Sequence, residues 1–362
     1  MPQPPCVPLP EAAGATVVGG KAASLGELIR AGLRVPPGFV VSTDAFSAAI
    51  ALIDPAGRLR AGIGALSPDD LPAITATAGQ LRELASTAPL PGPLAAAITT
   101  AYGALAAPPA GAAAGRWPLV AVRSSATMED GARDSFAGLQ STLLGVRGPD
   151  GLLEAVRRCW ASLYNDESVG YRRRAGLSES ALAMAVVVQL MVSPRAAGVM
   201  FTRSPVTGDR SVVAIEGTWG LGSALVAGDV TPDSFTISKV TGEITARRIS
   251  PKAITHSLAP NEPGVGVTGT PVRQRGEPCL TDDEIRALAT VGGQVEAHYG
   301  IPQDIEWAVL AADGRPAGDR VVVLQSRPET AWAARDAAPA APVAVRRPRA
   351  ADHVLSLFGK PL

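Results

Sequence analysis

Excess charge of either sign, histidine, cysteine, aromatic residues and long apolar runs are all scarce in this 362-residue chain. Its 33 basic side chains are balanced by 33 acidic ones, so it lacks the electrostatic footprint of a nucleic-acid or anionic-membrane binder. Cys6, Cys159 and Cys279 are scattered without CxxC spacing, which indicates neither a disulfide framework nor a zinc site. The start, Met1-Pro-Gln-Pro-Pro, has no basic or apolar stretch and so is not expected to be a signal peptide. The longest apolar run, residues 181–192, is too short to cross a bilayer and contains Gln189. A soluble, reducing, cytoplasmic setting is expected. Aromatics are only 4%, while Ala, Gly and Pro are abundant, which reads as compositional bias rather than disorder. The 46% hydrophobic content is enough for a substantial core. The length predicts about two to three structural units.

The first half reads as helix-rich. Gly19-Gly20-Lys21 predicts a turn, followed by a helix over residues 22–31 with Leu25, Leu28 and Ile29 on one face. A short strand over 39–42 follows, with Thr43-Asp44 as the cap of the next helix. Residues 44–105 are mostly helical, 119–122 form a buried strand, and two helices between 151 and 175 put Trp160 and Tyr164 in a core. From residue 183 the texture changes to strands at 183–192, 198–202, 212–216, 234–239 and 244–249. A helix over 282–299 with Thr281 as N-cap then precedes strands at 305–310 and 321–325. The pattern predicts an α+β fold with two lobes. Beyond Trp332 the chain is Ala/Pro-rich and ends in a short apolar group, Val354, Leu355, Leu357 and Phe358.

Chemistry concentrates in a few places. Asp304 and Glu306 share a strand face, as do Gln325 and Arg327, because strand side chains alternate. If the two strands are neighbours, two carboxylates, an amide and a guanidinium converge, a set suited to Mg²⁺ carrying a polyphosphate. A pair of ordinary strands with polar outward faces is the plainer alternative. Gly20-Lys21 resembles half a phosphate loop but fails the Walker pattern at Ala15 and Ala22, so a surface lysine after a turn is also admissible. Arg123 leaves a buried strand and needs an anionic partner, either phosphate or a structural Glu129. Gln189 to Val192 could offer backbone groups and Met191 to an adenine ring, or could simply be core.

The ordered series of Gly19-Gly-Lys-Ala-Ala-Ser-Leu, Val35-Pro-Pro-Gly-Phe39, Arg123-Ser-Ser-Ala-Thr, Ser135-Phe-Ala-Gly138, Gly198-Val-Met-Phe-Thr202, Pro205-Val-Thr-Gly208, Asp304-Ile-Glu306 and Gln325-Ser-Arg-Pro328 resembles a known family. It is similar to the ATP-binding domain of the pyruvate phosphate dikinase and phosphoenolpyruvate synthase family, a group that includes rifampin phosphotransferase and phenylphosphate synthase. The resemblance covers residues 16–332 and implies a two-lobed ATP-grasp fold using ATP and Mg²⁺. It divides the chain into a lead (1–15), an N-terminal lobe (16–195), a C-terminal lobe with the Mg-ATP ligands (196–332) and a linker with an apolar tail (333–362). By position it implies that Lys21 and Arg123 bind phosphates and that a loop with Gly138 and Thr142 covers them. It implies too that Gln189, Leu190, Met191 and Val192 line the adenine pocket and that Glu216 approaches the ribose. Glu306, Gln325 and Asp304 would hold the metal, and Arg327 would contact the transferring phosphoryl group.

Relatives carry a phosphorylated histidine in a Gly-rich motif on a swivelling domain. His256, His298 and His353 lie in no such context and are expected at the surface. The resemblance therefore implies an ATP-binding subunit of a split dikinase-like phosphotransferase. Its partners would be a separate phosphohistidine swivelling-domain protein and an acceptor-binding subunit, with AMP and phosphate as products. An ATP-grasp ligase forming an acyl phosphate and a non-catalytic nucleotide-binding module are the alternatives.

Overall fold

The computed structural model describes residues 4–105, 117–127, 130–131, 134–135, 142–179, 182–259, 262–330 and 332. The first half contains β1 (Cys6–Pro8), α1 (Ala15–Arg30), β2 (Gly38–Val41), α2 (Thr43–Ile53), α3 (Arg58–Ala65), α4 (Leu71–Thr87) and α5 (Gly92–Leu105). It continues through β3 (Val120–Ala126), β4 (Asp130–Gly131), β5 (Asp134–Ser135), β6 (Thr142–Val146), α6 (Pro149–Ala161), α7 (Asp166–Arg174) and β7 (Met184–Leu190). The second half is strand-rich: β8 (Pro194–Phe201), β9 (Val212–Trp219), α8 (Ser223–Val226), β10 (Asp233–Ser238), β11 (Ile244–Arg248), β12 (Ile254–Leu258) and β13 (Val265–Gly269). It closes with α9 (Val272–Arg275), α10 (Asp282–Tyr299), β14 (Gln303–Leu310) and β15 (Val321–Pro328). A five-stranded sheet runs β1-β2-β7-β3-β6 and a six-stranded sheet β11-β10-β9-β8-β14-β15, with two separate hairpins. This is the expected α+β, two-lobed ATP-grasp architecture.

The apolar run of β7 is explained by cover on both faces. Met184, Val186 and Val188 pack into a helical core with Phe46, Ile74 and Trp160, while Ala185 and Val187 face Val18, Ala22 and Leu25 of α1. In the second sheet Ile305, Trp307 and Val309 of β14 face Ile285, Leu288 and Val295 of α10. The opposite face, with Ala197, Ala308 and Val322, turns toward the first sheet's side of the cleft. Helix α10 has the limits its pattern predicts, with a capping box between Thr281 and Glu284 and Gly300 in the left-handed conformation at its end.

Several local expectations are corrected. α1 begins at Ala15, before the glycines, and is broken at Gly19 (φ 74°, ψ 163°), so the predicted turn is a kink inside a longer helical run. The N-cap of α2 is Ser42, whose hydroxyl accepts from the Ala45 amide, one residue before the expected Thr43-Asp44. Strand β3 continues through Ala126, so Arg123 sits within the strand and not at its end. Residues 6–8, read as Pro-rich lead, pair with β2 as an edge strand. His256 is buried, contrary to the surface reading, whereas His298 is exposed. His353 and the tail lie outside the described residues.

One buried charge pair ties the second half together. Asp233 is fully buried and accepts from Lys252 Nζ (2.6 Å) and the amides of Ser250 (2.9 Å) and Cys279 (2.8 Å). Lys252 also donates to the Ser250 carbonyl at 2.8 Å. The network joins β10 to the segment before β12 and to the entry of α10. Removing one partner strands the other's charge in the interior, so Asp233→Ala should lower unfolding stability by about 3–5 kcal/mol in urea titration. A loss below about 1 kcal/mol would mean that Lys252 finds water or another partner.

Candidate nucleotide site

Lys21 is placed by the break in α1. A Cβ at Gly19 would fall 2.1 Å from the Ser125 carbonyl oxygen, so only glycine allows α1 to lie this close to β3. Ser125 then stitches the two helical pieces: its hydroxyl donates to the Val18 carbonyl and accepts from the Ala22 amide. Lys21 follows at the restart and donates to the Ser124 carbonyl at 3.0 Å, one residue along β3 from Arg123.

The second sheet brings the acidic and amide groups. β14 and β15 pair antiparallel with Asp304 opposite Arg327 and Glu306 opposite Gln325, so the neighbour condition for convergence is met. The register shifts between Glu306 and Trp307, leaving Leu324 as an extra residue. That bulge lets Val321 and Val323 stay on the α10 side while Leu324, Gln325 and Arg327 turn toward the cleft.

Arg123 crosses from the first sheet to meet them. Its Nη1 donates to Glu306 Oε2 at 3.0 Å and to Gln325 Oε1 at 3.3 Å. Its Nε is buried and has no hydrogen-bond partner among the described residues. No Arg123–Glu129 pair is described, since Glu129 lies outside the described side chains. Arg327 donates from Nε (2.8 Å) and Nη2 (2.7 Å) to Asp304 Oδ2. Burial pushes the Asp304 carboxyl up from its ordinary value, and Arg327 only partly opposes this.

Beside this polar end lies a cavity of about 310 Å³, within the usual range for a small-molecule site. Arg123, Thr142, Gln189, Leu190, Met191, Val192 and Glu306 line it. Thr142 is the register partner of Arg123, and Gln189 donates to the Pro36 carbonyl. Lys21, Asp304, Gln325 and Arg327 are outside the lining set but are joined to it through Ser124, Arg123 and Glu306. Glu216 is also outside it. A register row places Glu216, Val199, Glu306 and Gln325 on adjacent strands, which puts Glu216 two strand spacings, about 10 Å, from Glu306. Gly138 lies outside the described residues. Ser223 lines the cavity and was missed; its only sequence signal is the glycine pair, Gly220 and Gly222, just before it.

The orphaned Arg123 Nε sits at the polar end, and the cavity behind it is mostly apolar, as a nucleobase requires. No cluster of three His, Cys, Asp or Glu side chains able to hold a metal occurs among the described residues. Asp304, Glu306 and Gln325 present oxygen atoms, the donor type a hard cation takes, and fewer of them than such a cation needs.

Fold and cleft define a two-lobed ATP-grasp domain. The chain belongs to the family described as pyruvate phosphate dikinase, AMP/ATP-binding domain, which matches residues 15–346. It is 44% identical to a rifampicin phosphotransferase from a Streptomyces species, over 88% of this chain and 35% of that protein. It is 38% identical to a probable phosphoenolpyruvate synthase from Methanothermobacter thermautotrophicus, over 87% of this chain and 44% of that protein. It is 39% identical to the prodigiosin synthesizing transferase PigC from Serratia marcescens, over 87% and 32%. The chain thus spans less than half the length of these relatives. Among the described residues, no helix is long and apolar enough to cross a membrane.

Because burial raises the Asp304 carboxyl, the folded state holds that proton more tightly than the unfolded chain. The group's contribution to stability is therefore present at low pH and lost as pH rises from the ordinary carboxylate value through the raised one. Asp304→Asn should leave the thermal midpoint at neutral pH equal or higher while weakening Mg²⁺-dependent nucleotide binding. A clear drop in the midpoint would show that the Arg327 attraction outweighs burial.

Proposed function

We propose that this chain binds Mg-ATP in the cleft and uses it to phosphorylate a histidine on a separate swivelling-domain protein. The products would be AMP and phosphate, and an acceptor-binding subunit would take the phosphoryl group onward. ATP, the histidine and a water balance AMP, phosphate and phosphohistidine. The observation that carries this reading is the meeting of Arg123 from one sheet with Glu306 and Gln325 from the other at the polar end of an apolar cavity. The family membership supports an ATP-binding phosphotransferase domain. No histidine lines the cavity among the described residues, which fits an acceptor brought from elsewhere.

In this reading Arg123 and Lys21 bind phosphate oxygens, with Thr142 and Gly138 covering them and residues 189–192 holding the base. Arg327 contacts the phosphoryl group in transfer. Glu306 and Gln325, with Asp304, hold Mg²⁺, which when bound neutralises phosphate charge and fixes the chain's orientation. Glu306 and Gln325 accept from the Arg123 Nη1 group. A polyphosphate would take the guanidinium and release both oxygens for the cation, so phosphate and metal would bind more tightly together than apart.

Calorimetry should show ATP binding that strengthens with Mg²⁺, and the chain alone should consume little ATP. With a swivelling-domain protein added, AMP and acid-labile phosphohistidine should appear together. Glu306→Gln should lower transfer by at least about tenfold while changing nucleotide affinity less. Arg123→Lys keeps the charge but loses the fork, and should cost about 2 kcal/mol, near thirtyfold in affinity. Robust phosphorylation of a small acceptor by the chain alone, or ADP as the product, would overturn the proposal.

A further inference from the structure

We propose that Ser223 reads the sugar of the bound nucleotide and that His256, with Asp229 behind it, orients its hydroxyl for this purpose. The inference rests on the Mg-ATP reading of the cleft and adds a specificity-determining residue to it. Ser223 lines the cavity. Its Oγ lies 2.9 Å from His256 Nδ1, and His256 Nε2 lies 3.4 Å from Asp229 Oδ2. A carboxylate can only accept, so in the neutral imidazole it favours the proton on Nε2 and leaves Nδ1 as an acceptor. Ser223 must then donate its proton to Nδ1. What its oxygen presents to the cavity is lone pairs, and the ligand group that matches them is a donor such as a sugar hydroxyl.

The turn leading into α8, whose first residue is Ser223, is held in place by β12, the strand that carries His256. The Leu221 amide donates to the His256 carbonyl at 2.8 Å, and Gly220 is bridged to His256. A Cβ at Gly220 would lie 2.2 Å from that carbonyl oxygen, so the close approach requires glycine. The hydroxyl is thus positioned before a ligand arrives, and little ordering cost remains on binding.

Its location selects the sugar over the base or the phosphates. A Cβ at Gly222 would lie 3.7 Å from Ala197 Cβ and the Gly198 amide nitrogen, so the residue before Ser223 lies over the middle of β8, and Ser223 shares the cavity lining with Ala197 and Gly198. On one side β8 leads back to Pro194 and the 189–192 segment assigned to the base. On the other it leads to Val199, the register partner of Glu306 at the phosphate end. Glu216, the residue first expected at the ribose, is outside the lining set.

Binding of ATP, 2′-deoxy-ATP and 3′-deoxy-ATP, each with excess Mg²⁺, tests this by calorimetry. The unaltered chain should favour ATP over at least one deoxy analogue by about tenfold, the worth of a positioned hydrogen bond. Ser223→Ala should weaken ATP by the same factor and leave that analogue unchanged, so that discrimination disappears. His256→Ala should do likewise, whereas His256→Asn, which keeps a polar group near the Nδ1 position, should restore it. Equal binding of all three nucleotides by the unaltered chain overturns the sugar assignment alone, and that comparison needs no variant. So does discrimination that survives Ser223→Ala, or equal weakening of ATP and both analogues. Absence of ATP binding by the unaltered chain overturns the cleft reading and this inference with it.

Discussion

A guanidinium taken almost wholly out of water has to meet oxygen atoms, and the site is arranged around that requirement at Arg123. The strand that carries it belongs to the first sheet, while the oxygens it meets, on Glu306 and Gln325, belong to the second. One side chain therefore fixes where the polar end of the cleft lies. Lys21 is drawn to the same end because Gly19 lets α1 touch β3, and Ser125 joins the halves of the helix across the break.

The apolar parts of the structure hold this arrangement in place. β7 is covered on both faces, and Trp307 and its neighbours on β14 are pinned by α10. The Asp233–Lys252 network and the Thr281–Glu284 capping box fix the entry to α10. Tyr299, near that helix's end, meets the Ser24 hydroxyl, and Ser24 also donates to the Ser326 carbonyl. The helix that carries Lys21 is thereby tied to the strand that carries Gln325 and Arg327.

Much of this was legible in the chain. Alternation predicted that Asp304 and Glu306 share a face, and that Gln325 and Arg327 do. Periodicity and capping chemistry predicted α10 to the residue. What was not legible depends on contacts between segments far apart in sequence. The partner of Arg123 is 183 residues away, and the expected local alternative, Glu129, gave no hint of it. Strand pattern alone could not reveal the extra residue at Leu324, because a bulge is a property of two strands in register. Ser223 was overlooked and His256 was expected at the surface for the same reason: a serine after glycines and a histidine in a polar stretch acquire meaning only when β12 lies against the turn that leads into α8.

The sequence by itself determined the α+β character, the change from helices to strands, and the residue types able to hold a phosphate and a hard cation. These follow from local periodicity, capping and side-chain chemistry. Tertiary structure decided which of those residues meet, by pairing β14 with β15 and setting β3 of one sheet against the edge of the other. It also decided that Ser223 lines the cavity. Register and close backbone approach are set by the packing of distant segments, and no short window of sequence contains them.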